Sequence, residues 1–291
     1  MAQALHTIAA IATGGTWVAE EGKQRLVGGR ATMETLPWHA LRYAHTQAIR
    51  AALAEQFQAN TANKMLCALR GVVRESWRLG LMPAEDYHRA TDLKGIRGTS
   101  LQRGRALSRG ELAAIFVVCR SDDTPAGRRD AALLALLYGA GLRRSEAVAV
   151  KLGDYNTTTG ELVVHGKGNK QRLLPITNGT ADALAAWIMV RGDAAGPLLS
   201  PVNKGGTVLY RAMTAQAVLG VLLKRGAQAK VKHVSPHDLR RSFGTDLLDA
   251  GADVLSVQKL MGHANVQTTQ RYDRRDERAK RHAVEMLHVP V

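Results

Sequence analysis

SPHDLRRSFGTDLLDAGADVLSVQKLMGHANVQTTQRY, running from Ser235 to Tyr272, is the stretch on which the rest of the chain is arranged. Ser235 is an N-cap, Pro236 fills the first helical position, where its missing N–H costs nothing, and Asp238 is placed to reach back to the cap. The i, i+3 spacing of His237 and Arg240 puts both on one face of the first turn. There they lie beside free N–H groups and the positive end of the helix dipole, where a phosphate binds readily. Leu239, Phe243 and Leu247 repeat on the other face and anchor the helix in a core. Asp249, Ala250 and Gly251 close it. A second helix opens at Asp253, buries Val254, Val257, Leu260 and Met261, and stops at Gly262, which leaves His263 just past a helix end. Gln270, Arg271 and Tyr272 follow. Two histidines, an arginine and a tyrosine are thereby offered around one anion-sized gap.

The whole chain, 291 residues, suits two domains, one smaller and one larger. Its apolar fraction, 45%, is that of a globular protein, while aromatics at 4% are scarce, which favours helices packed through small aliphatic side chains. A net charge of +15 marks a protein that seeks polyanions. Residues 1–97 carry 12 Lys and Arg against 8 Asp and Glu, and residues 98–291 carry 28 against 17, so the excess is mostly C-terminal. Cys67 and Cys119 sit apart in apolar helical runs and read as buried free thiols of a reducing compartment. The N-terminal run is short, broken by threonines and glycines, and lacks a basic flank, which argues against a secretory signal. No apolar run approaches the ~20 residues of a membrane span. A cytoplasmic, nucleoid-associated protein is expected.

Residues 1–35 have weak periodicity and many glycines, and read as a weakly structured arm or a single short helix with a tail. Residues 36–97 turn helical, with segments after Pro37, Asn60 and Pro83 that make a compact bundle. Arg42, Arg50, Lys64, Arg70, Arg74 and Arg78 recur along them. Singly each suits a solvated face, and as a set they suit a surface laid along phosphates. Residues 98–106 read as a polar, glycine-punctuated linker. From 107 to 291 a second domain begins with Leu107-Ser108 and Glu111 as cap and opening turn, and continues with an apolar helix from Asp130 to Tyr138. ELVVH and QRLLPI are then short strands enclosing GKGNK, a hairpin turn displaying Lys167 and Lys170. Further helices cover 180–191 and 212–225.

Several separate places thus supply groups suited to one task. Arg143 and Glu146 form an i, i+3 pair directly after a glycine turn, and they join Lys167, His237, Arg240, His263 and Tyr272. In order and spacing, GLRRSE, GKGNKQR, SPHDLRRSF, LMGH and TTQRY resemble the signature segments of the tyrosine recombinases, also called the phage integrase family. The resemblance is close from Leu107 to Tyr272, and covers the first domain only in size, helical character and place. It implies a mainly α fold with a small β-sheet or hairpin: a helical core-binding bundle plus a mixed α/β catalytic domain, closing as a clamp around duplex DNA. Carried over by position, Arg143 and Arg240 are the phosphate-binding arginines, Lys167 the hairpin lysine, His237 and His263 the site histidines, Glu146 the supporting acid and Tyr272 the nucleophile.

The chemistry suits those roles. A phosphodiester in transfer gathers charge on its non-bridging oxygens, and two arginine forks can hold them in one geometry. Tyrosine, with an ordinary pKa of about 10, needs that cationic field and a nearby base, for which His237 is placed. Lys167 or Lys170 would protonate the departing 5′ oxygen. No metal is needed, and no carboxylate cluster or Cys/His spacing offers to hold one. The expected activity is site-specific DNA recombination or integration through a 3′-phosphotyrosine intermediate, without cofactor, with a homotetramer on synapsed double-stranded DNA. Arg42, Arg50, Lys64, Arg70, Arg74, Lys170 and Arg241 are the expected DNA contacts. The tail after Tyr272 reads as a basic helix that docks either on its own domain or on a neighbouring subunit. A type IB topoisomerase or a non-cleaving DNA-binding regulator would be the alternatives.

Overall fold

The computed structural model describes residues 1–20, 23–98, 104–166, 168, 170–263, 265, 267 and 269. Its contacts divide the chain between Gln102 and Arg103.

In the first unit, helix α1 (Ala2–Ala12) precedes a hairpin of β1 (Thr16–Glu20) and β2 (Lys23–Val27), paired antiparallel from Thr16 opposite Val27 to Glu20 opposite Lys23. Helices α2 (Tyr43–Gln56), α3 (Ala59–Arg78) and α4 (Ala84–Thr91) complete it. The long α3 buries Ala62, Leu66, Leu69 and Val73 along one stripe, against Ile49 and Leu53 of α2. Ile8 of α1 is fully buried in the same core. Residues 1–35 are therefore not the weakly structured arm that their glycines suggest. Those glycines permit close approach instead: a Cβ on Gly15 would sit 2.7 Å from the Ala10 carbonyl oxygen, and one on Gly29 2.8 Å from the Ala10 Cα. Cys67 also departs from expectation. It is exposed, because α3 turns the neighbouring Leu66 and Ala68 inward instead.

In the second unit, α5 (Arg109–Arg120) starts with the expected reciprocal cap: Glu111 N–H donates to Ser108 Oγ at 3.3 Å, and Ser108 N–H donates to the Glu111 carboxylate at 2.9 Å. Helix α6 (Pro125–Tyr138) begins five residues ahead of the apolar run, because Thr124 caps it and Pro125 occupies its first turn. After it come α7 (Arg144–Ala149) and the antiparallel sheet β3 (Tyr155–Asn156), β4 (Glu161–His165) and β5 (Gln171–Pro175), ordered as in sequence. Helices α8 (Asn178–Arg191), α9 (Ala215–Gln228), α10 (Pro236–Asp249) and α11 (Val254–Met261) follow. Every residue from Asp130 to Leu137 of α6 is buried, which makes this helix the axis of the unit. Its one acid, Asp130, is neutralised from two sides: Arg129 Nε and Arg225 Nε each donate to it at 2.7 Å. Helix α10 is enclosed almost all round. Leu239, Phe243 and Leu248 are buried, while Leu247 is only half-buried, packed against the cluster that Phe243 and Leu248 form with Val257 and Met261 of α11. Among the described residues the architecture is mainly helical with two small sheets. No helix among the described residues is long and apolar enough to cross a membrane.

Candidate active site

The expected cap of α10 is present: Asp238 N–H donates to Ser235 Oγ at 3.3 Å, and Ser235 N–H donates to Asp238 Oδ2 at 3.0 Å. This fixes the first turn and with it His237 and Arg240. Arg240, 3% exposed, points inward, where Nη1 donates to the Gly141 carbonyl and Nη2 to the Met261 carbonyl at 2.5 Å. The first of these contacts needs α10 to press against the turn between α6 and α7. Gly141 makes that possible with φ +60°, since a Cβ there would lie 2.3 Å from Phe243 Cδ1.

Glu146, in the first turn of α7 and 6% exposed, is the anionic centre. Arg143, its N-cap, gives it a backbone N–H at 2.8 Å and Nη1 at 2.7 Å. Arg172 of β5 takes the same carboxylate as a fork, Nη1 to Oε1 at 3.1 Å and Nη2 to Oε2 at 2.8 Å. Arg240 Nη1 lies 4.0 Å from Oε2. Burial works against this charge, but the hydrogen bonds from Arg172 and Arg143 outweigh it and hold the carboxyl down at about 2.

The same three arginines share the C-terminal end of α11. Arg172 Nε donates to the Leu260 carbonyl at 3.0 Å, Arg240 Nη2 to Met261 at 2.5 Å, and Arg143 Nη2 to Gly262 at 2.9 Å. Three successive carbonyls that a helix end leaves without intrahelical partners each receive a different guanidinium, at the negative pole of the helix dipole. Gly262, left-handed at φ +62°, then turns the chain into His263. His263 is held by its backbone N–H to Gln258 O at 3.1 Å, by Gln258 Nε2 to its carbonyl at 2.9 Å, and by Nδ1 lying 2.9 Å from Oγ1 of the buried Thr269.

Burial first, then the cations Arg240 and Arg143, push the His263 imidazole down to about 4. His237 is lowered too, by burial and by Arg241. Both rings are therefore neutral at physiological pH inside a strongly positive field.

The structure thus brings together Arg143, Glu146, His237, Arg240 and His263. Lys167 and Tyr272 lie outside the described residues, as does the tail that follows. Lys170 is exposed where the β4–β5 loop closes, its carbonyl accepting from Gly166 N–H at 2.7 Å. Arg172 is the member that sequence reading missed. A signal for it existed: in β5 it shares the inward parity of Leu174, and a cation on the core face of a strand requires a buried partner.

Of the expected DNA contacts, Lys64 is exposed. Arg50 and Arg70 are committed to the segment after α4, donating to the carbonyls of Lys94 and Leu93. Arg42 pairs with Asp86 at 3.3 Å, and Arg74 lies 4.0 Å from Glu75. Arg241 is buried, with Nη1 on the Gly104 carbonyl at 3.1 Å.

Residues 105–278 match the model of the phage integrase family. The chain belongs to that family. As a member it is a tyrosine recombinase, and curated relatives carry that name. Tyrosine recombinase XerC of Alcanivorax borkumensis is 32% identical over 265 residues, covering 88% of this chain and 82% of that protein. Its counterpart in Azotobacter vinelandii is 35% identical over 240 residues, covering 82% and 78%. Among solved structures, XerH site-specific recombinase bound to palindromic difH substrate, a post-cleavage complex, aligns with a TM-score of 0.66 at 21% identity, over 86% of this chain and 72% of that one. The Tn1549 transposon integrase in complex with a circular intermediate DNA aligns at 0.64 with 16% identity, over 86% of each chain. These two show the shared fold.

Proposed function

We propose that this tyrosine recombinase breaks and rejoins duplex DNA at specific sites, with Tyr272 as the nucleophile. Its phenolic oxygen attacks a backbone phosphorus, the bond from phosphorus to the 5′ oxygen breaks, and the protein is left on the 3′ phosphate. A 5′ hydroxyl from the partner duplex then attacks the phosphotyrosine, so the number of phosphoester bonds is conserved and no ATP is required. A homotetramer on two synapsed sites follows from the need for two duplexes and sequential exchanges.

The observation that carries this reading is the placement of Arg143 and Arg240 on one carboxylate and one helix end, with His263 beside both. Two guanidinium groups held this way are preorganised for the two non-bridging oxygens of a transferring phosphate. A neutral His237 supports a base that takes the Tyr272 proton. Because Nδ1 of His263 lies against Thr269, Nε2 is the nitrogen we assign to a phosphate oxygen. Lys167, or Lys170 on the same loop, would return a proton to the leaving 5′ oxygen. Glu146 supports the arginines without touching the phosphate.

Incubating the protein with a duplex selected for binding from a random pool should yield an adduct that survives denaturant. Tyr272→Phe should bind that duplex and yield none. Binding without an adduct in the wild type would leave a DNA-binding regulator. An adduct accompanied by supercoil relaxation, without exchange between two sites, would leave a topoisomerase.

A further inference from the structure

We propose that Arg172 is a positioning residue of the active site: from strand β5 it sets the spacing between the lysine-bearing hairpin, the Arg143–Glu146 pair and the helix end that carries His263. The proposal rests on the recombinase reading above and adds a residue to it.

Arg172 Nη1 and Nη2 take both oxygens of Glu146, and Nε takes the Leu260 carbonyl. Its side chain is 14% exposed, between Arg143 at 41% and Arg240 at 4%, so it belongs to the partly buried shell of cations around Glu146. Strand β5 follows directly from the loop that ends at Lys170, two residues before Arg172. The pairing of Arg172 with Val164 on β4 fixes the base of that loop. One planar guanidinium therefore joins three things that are separate in the chain: the hairpin, the start of α7 and the end of α11. Gly262 passes so close that a Cβ there would lie 3.0 Å from Arg172 Nη1. This packing leaves no room for the turn and the guanidinium to shift independently.

A lysine could keep the charge, but it could not hold two carboxylate oxygens and a carbonyl at fixed angles. Charge and geometry can therefore be separated by substitution. The test uses the full chain with Arg172→Lys, Arg172→Ala, Glu146→Gln and the Glu146→Gln/Arg172→Lys double variant. Adduct formation is followed on a nicked duplex of the selected sequence, and the His263 imidazole is titrated by NMR without DNA.

Both Arg172 variants should form adduct about 10²-fold more slowly, the loss typical of a small misplacement of reacting groups, while binding the duplex as the wild type does. Arg172→Lys should leave the His263 midpoint in place. Arg172→Ala, which removes a nearby cation, should move it upward. The double variant should be no slower than the slower single one, since Arg172 acts through Glu146.

Wild-type adduct rates in Arg172→Lys, or fully additive losses in the double variant, would overturn the assignment. So would failure of both Arg172 variants to fold, which would make the residue structural. If the wild type itself forms no adduct, the recombinase reading falls and the titration decides this one: an unmoved His263 midpoint in Arg172→Ala overturns it.

Discussion

Glu146 shows how a single buried charge can order a site. Its carboxyl sits at about 2 in the fold against an ordinary 4.5, so its contribution to stability is fully present above pH 4.5 and is lost as pH falls toward 2. Glu146→Gln should cost about 3 kcal/mol at neutral pH, because it leaves guanidinium groups in the interior without their anion, and it should flatten the stability curve between those two values. Urea unfolding at a series of pH values checks both. His263 acts over a different window. Its folded value of about 4 lies below the ordinary 6.5, so the fold prefers the neutral ring, and stability falls as pH drops from 6.5 to 4. His263→Gln should reduce that slope, leaving the part that His237 contributes and the Glu146 window in place. Arg143 and Glu146 were legible as neighbours because they lie three residues apart on one turn. Arg172 was not, because its partners lie 26 residues earlier and 88 later. Spacing along the chain says nothing about such a contact, and only the parity of β5 hinted at it.

The ends of helices are legible in local sequence. The ends of α5, α10 and α11 follow from Ser108, Ser235, Asp253 and Gly262, since caps depend on residues within one turn. What depends on a partner element was less visible. Residues 1–35 read as a weakly structured arm or a single short helix with a tail, because glycines that let β2 close on α1 have the same composition as glycines in a loose tail. Gly141 carries such a close approach into the active site. Gly141→Ala should strain a left-handed residue and drive a methyl group into Phe243, lifting α10 and taking Arg240 off the Gly141 carbonyl. A loss of about 1–3 kcal/mol is expected, with a larger proportional loss of adduct formation than of DNA binding. Ser235→Ala, which loosens the first turn, should cost about 1 kcal/mol but keep Arg240 docked, because the Gly141 and Met261 carbonyls still hold its guanidinium. Comparing the two separates the stability of α10 from its docking.

For the molecule as a whole, charge is the property that sequence conveys most directly, and its distribution is what the structure refines. Net charge is +15, with 12 Lys and Arg against 8 acids in residues 1–97. Yet several of those twelve cations do structural work: Arg50 and Arg70 hold the carbonyls of Lys94 and Leu93, and Arg42 pairs with Asp86. Lys64 is exposed. DNA affinity should fall linearly on a log scale with salt, losing about 0.9 in slope for each phosphate neutralised. Lys64→Ala should weaken binding uniformly across sequences and reduce that slope by about one phosphate, with no change in thermal unfolding. Arg70→Ala should do the opposite, lowering the unfolding temperature of the first unit through loss of a buried-side anchor while leaving the salt slope nearly unchanged. Salt titrations of the two variants against one duplex, beside their melting curves, test this division. Equal slopes and equal melts would mean that the anchoring contacts at Leu93 and Lys94 give way when DNA is bound, which would turn Arg50 and Arg70 back into phosphate contacts.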